Sequence, residues 1–205
     1  MNEFTEKEDR QLKSAGDPFG SGSGPEIPQG RPAAIAGAPM PKLWIGYLLA
    51  LATFVGEIIA FSRHPELFNA KEIKFYVPPL EMFLPAFVAR VYWLVCVYRY
   101  HKILAAIPGY THPISPAKAV GFHFIPLFNF FWVFAWPSAI ANFVNARLHA
   151  PAMRGWAVGA GILIASLCQI FLDPGFGVAL LFLATGNLAR FLKRALSVPE
   201  PAPQI

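Results

Sequence analysis

AVGFHFIPLFNFFWVFAW, residues 119–136, is almost wholly apolar yet holds His123, Pro126 and Asn129 in its interior. In a water-soluble protein such a run would be a core helix. Here equally apolar runs flank it at residues 43–61, 82–104, 156–172 and 176–192. Runs of 17 to 25 apolar residues match the hydrocarbon thickness of a bilayer at 1.5 Å of rise per residue. The 205-residue chain is 55% hydrophobic and 14% charged, well under the quarter of charged residues usual in soluble domains. A membrane is the solvent this composition fits.

Charge placement sets the expected topology. The net charge is +5, but the basic residues fill the gaps between apolar runs. They form no stripe interleaved with exposed aromatics, so nucleic-acid binding is not expected. Five full crossings would divide the basic residues almost evenly between the two sides. If residues 119–145 enter, bend and return, then Arg99, Lys102, Lys118, Arg147, Arg154, Arg190, Lys193 and Arg194 share one side with the N-terminal tail. Only Arg63, Lys71 and Lys74 then lie opposite. The positive-inside rule favours this second arrangement and makes the shared side cytoplasmic.

The expected fold is therefore an all-α integral membrane protein with four transmembrane helices plus a broken or re-entrant segment; five transmembrane helices is the alternative. Pro126 supplies the break, because it cannot donate a helical hydrogen bond and its ring clashes with the preceding turn. Asn129 is expected to satisfy backbone groups freed there, which lipid would leave unpaired. Each arm should run about 10 to 15 residues, half a bilayer or slightly more.

Outside this domain of residues 43–195, composition predicts no packed structure. Residues 1–42 hold a charged start and then a Gly/Ser/Pro/Ala-rich run, which reads as a disordered tail or linker. The tail is too long and too acidic for a signal-peptide n-region. Residues 196–205 are a short polar tail.

Glu57 and Arg90 are the ionisable residues deepest in the confident spans. Each lies roughly 8–12 Å inward from the shared connector at 1.5 Å per residue. Matching depth predicts an interhelical ion pair, chiefly structural, with a proton or ion relay as the functional alternative. On the first helix Gly46, Ala50, Thr53 and Glu57 recur at helical spacing, a small and polar stripe that permits close helix approach.

Five histidines, His64, His101, His112, His123 and His149, invite a haem or metal reading, but none has ligand spacing. Cys96 and Cys168 lie inside apolar runs and read as small buried hydrophobes. Asn129, Asn187 and Gln169 suit helix-to-helix hydrogen bonds. Phosphate loops, nucleophile elbows and paired catalytic carboxylates are absent, so neither an enzyme nor a cofactor is expected.

Three pieces, YRYHK at 98–102, SPAKAVGFHFIPLFNFFW at 115–132, and the pair Asn142 and Asn145, resemble a family of bacterial multi-pass membrane proteins of unknown function. Members of that family often stand behind a soluble GYF-type adaptor domain. The resemblance covers about residues 90–195 and centres on the Ile-Pro-x-Phe-Asn-x-x-Trp core; here only a linker occupies the adaptor's place. It implies a bacterial inner-membrane protein and brings no reaction or cofactor. The function expected is a structural, accessory or assembly role in a membrane complex, its partners the lipid bilayer and other membrane proteins. A small transporter or channel component for ions or small solutes is the alternative.

Overall fold

The structure, a computed structural model, describes residues 39–65, 79–107 and 109–198. They form α1 (Leu43–Arg63), α2 (Leu80–Ala105), α3 (Pro116–Gly121), a 3-10 turn (Phe122–Phe124), α4 (Pro126–Leu148), α5 (Gly155–Phe171) and α6 (Pro174–Ser197). No strand occurs among the described residues, and the chain is an all-α membrane protein. Four helices, α1, α2, α4 and α6, are long and apolar enough to cross a membrane. The expectation for residues 1–38 lies outside the described residues.

Contacts between small residues fix the register of the bundle. The stripe of α1 is buried as its spacing predicts, at Gly46, Ala50, Thr53, Gly56, Glu57 and Ala60. Gly46 meets the Phe182 ring and Gly175 meets the Phe54 ring, so α1 and α6 run antiparallel. Gly56 packs on the carbonyl of Glu81 at the start of α2, and Arg63 Nη1 donates to Glu81 Oε1 at 2.7 Å across the same end. We call this the upper end. Gly161 faces Ala184 and Gly177 faces Gln169, pairing α5 with α6. Gly155 packs on Ser138, and Gly159 on Val133 and Phe134, pairing α4 with α5.

The central segment rises and returns at the lower end. His112 contacts His101 near the end of α2, while His123 contacts Trp93, eight positions nearer its start. The chain therefore climbs between residues 112 and 123. Asn129 bonds His123, and Phe143 lies 5.0 Å from Tyr110, so α4 descends to where the climb began. Trp132 Nε1 donates to Ala119 O at 3.0 Å and closes the hairpin, with Phe122 edge-on to Trp132. Ser115 caps α3 by accepting from Lys118 N, with Pro116 at its first position.

The break falls at Pro126, but its form differs from the expectation. Ile125 is extended and Pro126 opens α4 as its first residue, where a missing N–H removes no helical bond. The arms are also unequal. The first is short, whereas α4 runs 23 residues because its lower half, buried at Ile140, Ala141, Phe143 and Val144, continues against the bundle. Helix α5 keeps the 17-residue length expected of it, shifted by one position, and ends where the chain turns into the Asp173 cap of α6. That last helix extends to Ser197, two residues beyond the expected domain boundary.

Candidate functional site

Arg90, His123, Asn129 and Ser166 gather where the central segment meets α2 and α5. Arg90, on α2, donates from Nη2 to Ser166 Oγ on α5 at 3.1 Å, and its guanidinium stands 5.1 Å from the Trp93 ring centroid. A desolvated cation over indole gains about 2 kcal/mol. Beside it, His123 Nδ1 and Asn129 Oδ1 lie 2.8 Å apart. These groups, with Trp93, Phe124 and Val133, line a cavity of about 110 Å³. Pro126 makes this possible: the extended residue before it turns the chain, so His123 and Asn129 face each other across the bend. Asn129 thus orients a side chain, where the sequence suggested a backbone partner.

The expected ion pair between Glu57 and Arg90 is corrected. Glu57 Oε1 accepts from Gly175 N at 2.6 Å, in the first turn of α6, while Asp173 accepts from Phe176 N at 2.6 Å. Two carboxylates thereby cap one helix, where orphan N–H groups and the positive end of the dipole favour negative charge. Depth matched Glu57 to Arg90, but helix rotation aims them at different neighbours. The described carboxylates are Glu57, Glu81 and Asp173; the first and last cap α6 and the second pairs with Arg63. Arg90 has no carboxylate partner among the described residues.

A second cluster lies lower. His101 Nδ1 and His112 Nε2 are 2.7 Å apart, with Trp136 edge-on to His101 at 5.8 Å. Ligand spacing never suggested this pair, because one histidine is helical and the other lies in a loop. Among the described residues no group of three or more His, Cys, Asp or Glu side chains is placed to hold a metal ion. Cys96 and Cys168 are buried free thiols. Asn145 is the residue whose role the sequence left open: its side chain donates to Met153 O and accepts from Met153 N, both at 2.8 Å. It ties down the connector after the left-handed residue His149. Asn187 is exposed on α6 and Gln169 lies against Gly177.

No protein-family model, curated protein or solved structure matches this chain. The site is therefore read from its own chemistry.

His112 makes that chemistry sensitive to acid. It lies in the loop before α3, and burial pushes its pKa down from 6.5 to about 4. Between those values the unfolded chain binds the proton more readily than the folded one, so stability is present above about pH 6.5 and is lost as the pH falls toward 4. Acidifying from pH 7 to 5 should cost the wild type up to about 2 kcal/mol more than His112→Gln. Equilibrium unfolding in detergent at the two pH values measures this. Equal losses in both proteins would remove the role assigned to His112.

Proposed function

We propose that this chain is an accessory or assembly component of a membrane complex, without a reaction of its own. The observation that carries this reading is how the intramembrane polar groups are spent. Glu57 caps α6, Asn145 clamps Met153, and Asn129 holds His123, so these groups tie the bundle to itself. Its outward faces are apolar, including Phe124, Leu127 and Phe131 at the central bend and Ile170, Phe171 and Leu172 at the turn between α5 and α6. Both tips suit lipid. The resemblance to bacterial multi-pass membrane proteins belongs to the same proposal.

The orientation proposed is a cell membrane protein with its N-terminus in the cytoplasm. Its support is the basic band toward the lower end: Lys42 and Arg154 immediately precede α1 and α5, and Arg99, Lys102, Arg190 and Lys193 lie in the lower third of α2 and α6, whereas Arg63 is at the upper end beside Glu81. Single cysteines at Ser115, Ala150 and Ser197, in a Cys96→Ala/Cys168→Ala background, should resist an impermeant thiol reagent in intact cells. A cysteine at Ser62 should react. Labelling at 150 and 197 without 115 would mean that the central segment crosses fully.

A second reading, a solute transporter or channel component, is favoured by Arg90, which faces a cavity with no carboxylate beside it. Photocrosslinkers at Ile164 and Leu183, both exposed, separate the two. An accessory subunit gives an adduct to one defined membrane protein and no solute flux in proteoliposomes. Flux without an adduct would overturn the accessory reading.

A further inference from the structure

We propose that the cavity between Arg90, Trp93 and His123 binds a small hydroxycarboxylate. This goes beyond the accessory role and needs no partner protein.

The fold leaves three groups around this cavity unanswered. Arg90 Nη1, Trp93 Nε1 and His123 Nε2 are buried without a hydrogen-bond partner, and all three residues line the same cavity. Trp93 is 2% exposed. Leaving a buried donor unmatched is costly, and a charged one more so. Three such atoms around one space contrast with the rest of the bend, where Trp132 Nε1, Arg90 Nη2 and Asn129 Oδ1 are each matched. Tyr100 Oη, His101 Nε2, His112 Nδ1 and Trp136 Nε1 are buried without a partner as well, but none of those residues lines this cavity, where three such atoms fall together.

The chemistry of the wall selects the ligand. Arg90 brings a permanent positive charge and Trp93 a second N–H, so an anionic oxygen belongs between them. His123 asks for the opposite. Its Nδ1 faces an amide oxygen that only accepts, so Nδ1 carries the proton and neutral Nε2 is an acceptor. A halide offers nothing to that nitrogen, whereas a hydroxyl donates to it. A carboxylate with a hydroxyl on the adjacent carbon supplies both halves. The volume, about 110 Å³, holds several waters and is far below the 300–1,000 Å³ of sites for drug-sized ligands. A two- or three-carbon acid is the size that fits. Ser166 keeps Arg90 in place by accepting from Nη2, which leaves Nη1 for the ligand.

Saturation-transfer NMR on the full chain in detergent micelles tests this, with glycolate and acetate as probes of equal charge. Glycolate should bind about tenfold more tightly than acetate, because only glycolate can bond His123. Arg90→Gln should weaken both acids at least about tenfold. His123→Phe should reduce glycolate to the level of acetate while leaving acetate unchanged. If Arg90→Gln does not fold, the His123→Phe comparison decides alone. No transfer to either acid in the folded wild type, equal transfer in Arg90→Gln, or an undiminished preference for glycolate in His123→Phe would each overturn the proposal.

Discussion

Replacing Glu57 by Ala should destabilise the bundle by about 2–4 kcal/mol, the larger part from one stranded N–H. The Gly175 N–H is buried at the start of α6 and its partner is a carboxylate reaching over from α1. Water cannot easily replace that oxygen, because Gly175 is buried and its Cα lies close against the Phe54 ring. Glu57→Gln keeps an acceptor oxygen and should lose about half as much. Since Glu57 and Arg90 hold different partners, the losses from Glu57→Ala and Arg90→Ala should add within about 0.5 kcal/mol. Reversible unfolding in mixed detergent measures the wild type, the three single variants and the double variant. A coupling of several kcal/mol would restore the ion pair, and a neutral Glu57→Ala would remove the cap.

Gly155→Val is expected to be still more damaging, costing more than about 3 kcal/mol or preventing a folded bundle. A Cβ at Gly155 would fall on the backbone of Ser138, and one at Gly159 would lie 2.7 Å from Val133 O and 2.9 Å from Phe134 Cα. Backbone cannot swing aside as a side-chain tip can, so α4 and α5 would have to separate. Pro137 contributes to this seam: lacking an N–H, it leaves the Val133 carbonyl without its helical donor, and that carbonyl faces Gly159. Gly121 is the control. It has open space within 4 Å, so Gly121→Ala should be neutral or stabilising by up to about 1 kcal/mol. Size-exclusion profiles and thermal midpoints in detergent distinguish the variants. A Gly155→Val protein as stable as Gly121→Ala would mean that the α4–α5 contact is not close.

Much of this architecture is legible in the chain, because its causes are local. An apolar run long enough for a bilayer becomes a helix wherever it lies, since lipid offers the backbone no other partner. Pro126 marks the break ahead of α4 by chemistry within a few residues of itself, and the caps at Ser115 and Asp173 have equally local causes, though only the structure brings them out. The small stripe of α1 is visible as spacing, and the return of the central segment as an asymmetry of charge.

The partners of the polar residues were not legible, for a physical reason. Membrane depth follows from counting at 1.5 Å per residue, so Glu57 and Arg90 could be placed at one level. Which neighbour each side chain meets depends on the rotation of its helix, and that is decided by packing between distant segments. Glu57 finds Gly175, 118 positions away, because Gly46 and Gly56 let α1 close on α6 and α2. Arg90 finds Ser166, 76 positions away, because α5 packs beside the central bend. His101 and His112 form a pair only because the loop after α2 folds back on it. Sequence alone determined that this chain enters a membrane and where its central helix breaks, since both are properties of single segments. Tertiary structure alone decided that Glu57 is a helix cap and that Arg90 faces a cavity, because both depend on which helix faces turn toward each other.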